Sequence, residues 1–186
     1  MIHSFNDDFR FSDTQAAYDL VIRACKAELP DCIGLKRASH AEDKAGVDFW
    51  AHMPDGSRIG IDLKLRRKDY GAQYGKPLDC VVELDCAGSH GWLNKAGGAE
   101  LILFAASDTG RYFMVAANDL RAAVITGLPR WIAAGKVHEL QTTSKWDKGQ
   151  DNGRQWQSKA VAIGSDLILR QIQALDSCAA DYQTPL

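Results

Sequence analysis

Two strand-like stretches joined by Pro54-Asp55-Gly56 constrain this chain more than any other feature. Val47-Asp48-Phe49-Trp50-Ala51-His52-Met53 comes before the turn. Arg58-Ile59-Gly60-Ile61-Asp62-Leu63-Lys64-Leu65 follows it, with partial period-two alternation. Pro and Gly supply the dihedrals that reverse a chain, so the two stretches are expected to pair as a hairpin. Side chains two apart on a strand share a face, which sets Asp62 and Lys64 pointing the same way. A three-residue loop at 54–56 puts residue 53 against 57, and therefore Asp48 against Asp62. A two-residue loop shifts the register by one and weakens the match.

In the first register two carboxylates and an ammonium meet on one patch of sheet. Neighbouring carboxylates repel, and one keeps its proton unless a cation sits between them. Mg²⁺ takes one or two carboxylates and keeps several waters, so Asp48 and Asp62 suffice as ligands, with Mn²⁺ expected to substitute. Such a metal lowers the pKa of a bound water and polarises a phosphodiester. Lys64 is placed to orient that water or to offset charge on the phosphate. The same residues also fit a plainer arrangement, with two solvent-facing acids and Lys64 as a surface ion-pair partner.

The rest of the chain reads as α/β, a mixed central sheet flanked by helices. At 186 residues it suits a single domain, with a core over about 12–125 and a C-terminal extension over 126–186. Ser12-Asp13-Thr14-Gln15 has the form of a capping box with Ser12 as N-cap. Ala16, Ala17, Leu20, Val21, Ala24 and Cys25 follow at helical spacing, and Pro30 stops the helix. Residues 31–45 read as a connector and 66–79 as a basic, Gly-containing loop. Cys80 to Asp85 is a third strand. Glu100 to Ala106 is a nearly continuous apolar run, suited to a strand buried on both faces, and it pairs with Arg111 to Ala116. Asn118 caps a helix ending near Gly127, and Pro129 starts a short one around Trp131. Residues 141–155 read as a loop, Gln157 to Ile163 as a late strand, and Ser165 as the cap of a last helix carrying Ile168, Leu169, Ile172 and Leu175.

Gly46-Val47-Asp48, a turn, and Gly60-Ile61-Asp62-Leu63-Lys64 together resemble the signature of the PD-(D/E)XK nuclease superfamily. In that pattern an Asp begins the hairpin and Asp/Glu-x-Lys ends it. Val81-Val82-Glu83-Leu84-Asp85, then Gly91-Trp92-Leu93-Asn94-Lys95-Ala96, then the apolar strand from Glu100, is similar to phage-type members. The resemblance spans about residues 12–125 and departs from the pattern in having no Pro before Asp48. It implies a restriction-endonuclease-like fold and Mg²⁺-dependent hydrolysis of DNA, with catalytic Asp48, Asp62 and Lys64. It implies Glu83 as a further ligand or orienting group, for which a cross-strand ion pair is the plainer role. It also implies an acid on the first helix, where Asp19 is favoured over Glu28. An inactive relative that only binds nucleic acid or protein is the alternative.

Net charge is −2, so any nucleic-acid partner must be held by local patches. Arg66, Arg67 and Lys68 directly follow the Lys64 strand. Lys95 lies in the Gly-rich loop. Lys145, Lys148, Arg154 and Lys159 interleave with Trp146 and Trp156, a mixture that grips backbone and stacks on unpaired bases, or simply forms a solvated loop. DNA is the expected partner, with a homodimer left open. His52 reads as a half-buried histidine rather than a ligand, and His90 has no evident partner. No ATPase-type phosphate loop occurs.

The five cysteines, Cys25, Cys32, Cys80, Cys86 and Cys178, lack zinc-ligand spacing and read as reduced core thiols. The polar N-terminus lacks a signal-peptide core, and no apolar run approaches the ~18 residues that span a bilayer. A cytoplasmic protein with no membrane partner is expected.

Overall fold

A computed structural model describes residues 2–4, 14–86, 89–91, 98–145 and 155–181. In chain order its elements are β1 (Ile2–Ser4), α1 (Gln15–Glu28), β2 (Gly34–Arg37), α2 (His40–Lys44), β3 (Phe49–His52) and β4 (Arg58–Arg66). A 3-10 turn (Ala72–Tyr74), β5 (Asp79–Cys86), β6 (Ser89–His90), β7 (Leu101–Ala106) and β8 (Tyr112–Ala116) come next. The chain continues through α3 (Ala117–Ala133), β9 (His138–Lys145), β10 (Gln155–Gly164) and α4 (Ser165–Asp181). It is an α/β protein whose mixed sheet, in the order β2-β3-β4-β7-β8, is flanked by helices.

That sheet contains the hairpin. β2, β3 and β4 pair antiparallel, β7 lies parallel to β4, and β8 returns antiparallel to β7. Strand alternation then assigns the faces. Phe49, Ala51, Ile61, Leu63, Leu103 and Ala105 point to one side, where the apolar stripe of α1 (Leu20, Val21, Ala24, Cys25) covers them. Ile102, Phe104 and Ala106 point to the other and join a second core with α3, α4, β5 and β10. β7 is therefore apolar on both faces, as its composition predicts.

Several local expectations give way. Thr14 caps α1, its Oγ1 accepting from Ala17 N at 3.3 Å, while Ser12 lies outside the described residues. Residues 31–45 are not a plain connector but hold β2 and α2. The latter is opened by a capping box in which Ser39 Oγ accepts from Glu42 N and the Glu42 carboxylate accepts from Ser39 N at 2.8 Å. One helix, α3, replaces the expected pair, with Pro129 inside it. Gly127 serves packing rather than termination, because a Cβ there would lie 2.4 Å from the Trp131 ring. Burial of Trp131 at 3% exposure holds the helix through the proline. The polar stretch from 141 continues β9 as far as Lys145.

The largest departure is a second five-stranded sheet, β1-β9-β10-β5-β6. The strand after the hairpin, β5, leaves the hairpin sheet and pairs with β10. Cys25 and Cys80 are buried free thiols and Cys32 is a half-buried one. Burial first, then the neighbouring Cys32, pushes Cys25 up to about 11. Among the described residues no helix is long and apolar enough to cross a membrane.

Leu103, on β7, is fully buried in the core under α1. Leu103→Ala should cost about 2–5 kcal/mol by urea denaturation. Ile125→Ala, at a position 64% exposed, should stay within about 0.5 kcal/mol of the parent. Equal losses in the two variants would contradict this placement of the core.

Candidate functional site

The hairpin closes on a three-residue loop. Met53 N donates to Ser57 O at 2.9 Å, and the ladder runs His52 to Arg58 and Phe49 to Ile61. Past the last pair of that ladder, Asp48 N donates to Ile61 O at 2.9 Å, and the Asp48 carboxyl comes near enough to Asp62 for their charges to interact. Asp55 fixes the turn by accepting from Ser57 N at 2.9 Å. The chain reaches Asp48 through α2 and Gly46, whose φ of +91° turns it out of the helix into the strand.

Asp62 and Lys64 lie on the face of β4 opposite α1, and Lys64 Nζ stands 2.7 Å from Asp62 Oδ1. Asp62 is 8% exposed and pairs in register with Ile102, at the margin of the second core. Asp48 Oδ2 accepts from Leu63 N at 2.6 Å. Burial and then the Asp62 charge push the Asp48 carboxyl from its ordinary 3.8 up to about 7, with the Asp43 carboxylate adding to the shift. The Leu63 hydrogen bond and the Lys64 charge act against that rise. Sequence reasoning misses Asp43, although the Ser39-x-x-Glu42 pattern marks a helix start just before it.

Glu83 does not join this group. It lies on β5 in the second sheet, opposite Ala160. Cys80 and Val82 on that strand face the second core, so alternation turns Glu83 the other way. Asp19 is also displaced. α1 covers the opposite face of the hairpin sheet, and Asp19 is exposed on its outer side, accepting from Gln15 Nε2 at 2.8 Å. Glu28, the alternative, is on the same helix and lies beside Tyr112, whose hydroxyl is raised by burial and by the Glu28 charge. Among the described residues no three His, Cys, Asp or Glu side chains gather as a metal-holding group. The donor set is thus two carboxylates, one of them pushed up to about 7 by burial and by the charge of the other. That is chemistry a divalent cation with several retained waters fits.

Arg66 lies on the Asp62 side of β4, two residues beyond Lys64, and Arg67 and Lys68 are exposed just after it. Lys159 is exposed on β10, in register with Asp85 of the second sheet. Lys95, Lys148 and Arg154 lie outside the described residues, as does the side chain of Lys145. His52 is half-buried. Comparison with protein-family models, curated proteins and solved structures gives no match.

Because the folded Asp48 binds its proton more tightly than the unfolded chain does, its contribution to stability is full below about pH 4 and is lost as pH rises through about 7. In chelator, the parent's urea midpoint should therefore decline as pH is raised from about 4 to about 7. Asp48→Asn, which keeps an acceptor for Leu63 N and cannot ionise, should lack that share of the slope. Identical pH profiles would show that Asp48 is not the titrating group.

Proposed function

We propose that this protein hydrolyses phosphodiester bonds of DNA in a Mg²⁺-dependent reaction centred on Asp48, Asp62 and Lys64. The observation that carries the reading is the charge arrangement: two acids brought together by a hairpin, one kept from full ionisation by burial and by the other, with an ammonium 2.7 Å from the second. A divalent cation would relieve the repulsion between the acids. The order of Gly46-Val47-Asp48 and Asp62-Leu63-Lys64 around the turn, which resembles the PD-(D/E)XK pattern, supports the same reading.

Asp48 and Asp62 would hold the cation, with Mn²⁺ as a substitute. When bound, it supplies Lewis-acid polarisation of the phosphodiester and a lowered pKa for a coordinated water. The protein's own groups set the conditions. The Leu63 N–H fixes Asp48 in orientation, and Lys64 fixes Asp62 and places positive charge where the phosphate's negative charge builds. The second core beside Asp62 lowers the local dielectric and strengthens both effects.

Linear DNA with Mg²⁺ or Mn²⁺ should be cut, and chelator should stop the cutting. Lys64→Ala and Asp62→Asn should each reduce the rate by about 100-fold or more, with unchanged circular dichroism. DNA bound tightly but never cut with either metal would overturn the catalytic reading in favour of a binding module. Undiminished cutting by Asp62→Asn would overturn the site.

A further inference from the structure

The segment after Lys64 concentrates positive charge in a chain whose net charge is −2. Between Arg66 and Lys76 it carries Arg66, Arg67, Lys68 and Lys76 against a single acid, Asp69. That acid does not offset them at the surface. Its side chain is fully buried, with Arg111 Nη1 3.1 Å from Oδ2. Thr109 Oγ1 donates to the same oxygen at 3.2 Å, and Ala72 N donates to Oδ1 at 3.0 Å. Arg111 also donates to Lys76 O at 2.9 Å, and the Asp108 carboxylate accepts from Asp69 N at 3.0 Å. Gly71 allows the loop to close on itself, since a Cβ there would meet the Pro77 carbonyl oxygen at 2.2 Å. The loop is thus pinned to the β7–β8 turn from inside.

Two aromatic rings are presented outward by this pinned loop. Tyr70 is 51% exposed and Tyr74 is 74% exposed, two of the six large exposed hydrophobic side chains among the described residues. Each ring has a cation against it, Arg66 at 5.5 Å from the Tyr70 centroid and Lys76 at 5.9 Å from that of Tyr74. Outward rings beside cations, on a backbone already ordered, are the parts that hold an unpaired strand: rings stack on bases whatever their identity, and cations follow the phosphates. A duplex hides its base faces and would use only the cations. Arg66 shares a face of β4 with Asp62 and Lys64, so the surface runs directly into the acidic site.

We propose that the loop from Arg66 to Lys76 binds single-stranded DNA, with bases stacked on Tyr70 and Tyr74 and phosphates held by Arg66, Arg67, Lys68 and Lys76. This deepens the nuclease reading by naming an unpaired strand as the substrate, and it rests on that reading only for the cleavage of the bound strand.

The test is fluorescence anisotropy of labelled oligonucleotides in chelator, where no cleavage is needed. The full chain and its Asp62→Asn variant should both bind a thymidine oligonucleotide at least tenfold more tightly than a duplex of equal length, with affinity falling steeply as salt rises. Tyr70→Ala and Tyr74→Ala should each weaken single-strand binding by about tenfold and leave duplex binding within about twofold. The two Tyr→Phe variants, which keep the rings, should bind as the parent does, and these also control for folding. Equal affinity for duplex, unchanged binding in both Ala variants, tighter binding of uridine oligonucleotides, or no binding at low salt would each overturn the proposal. Binding as expected without cutting in Mg²⁺ or Mn²⁺ would leave it standing and remove the nuclease reading, and cutting without single-strand preference would do the reverse.

Discussion

A three-residue turn leaves two strands one way to face each other, and in this chain that choice brings acid against acid. Asp55 anchors the turn through Ser57, and the ladder runs in register from His52–Arg58 to Phe49–Ile61, beside Asp48 and Asp62. Moving the ladder by one residue would send Ile61 and Leu63 out of the core under α1 and drive Asp62 and Lys64 into it. The same apolar burial that stabilises the sheet therefore compels the carboxylates to stay together. Burial and then their mutual repulsion are the cost, and both push the Asp48 carboxyl up. Structures retain such local conflicts where a ligand resolves them.

The parts of this arrangement that could be read from the sequence are those set by neighbours along the chain. The Pro54-Asp55-Gly56 turn carries its own geometry, so the register that brings Asp48 near Asp62 comes from counting. The apolar run from Leu101 declares burial on both sides. The fate of β5 is different in kind. Cys80 and Val82 share one side of the strand whether it joins β4 or β10, and only the distant β10 decides. Placing Glu83 at the acidic site requires consecutive strands to share a sheet, and a long-range pairing overrides that requirement. Asp19 is different, because the local pattern already argues against placing it at the site. It falls outside the stripe of Ala17, Leu20, Val21, Ala24 and Cys25 that marks the buried side of α1.

Rigidity around the site comes from two unlike sources. On the α1 side it is apolar packing, with Val21, Phe49, Ile61 and Leu103 sealed from water. On the side of the Arg66–Lys76 loop it is a buried, hydrogen-bonded charge pair, Asp69 with Arg111. Such a pair adds little net stability compared with an apolar substitute, but removing one partner strands the other. What it contributes is a fixed geometry for a loop that has almost no apolar side chains to hold it. Basic side chains alone would leave such a loop extended and self-repelling.

The split between the two sheets also imposes an order of assembly as the polypeptide leaves the ribosome. Every strand of the hairpin sheet has been made once Ala116 emerges, and its contacts can mature at once. β5 must wait for β10, about seventy residues later, before its hydrogen-bonding edge is covered. During that interval Cys80 and Val82 lack their β10 neighbours, Ile163 and Val161, and an uncovered edge is where chains stick to one another. A nascent chain stalled between β8 and β10 is thus the form of this protein most in need of a chaperone.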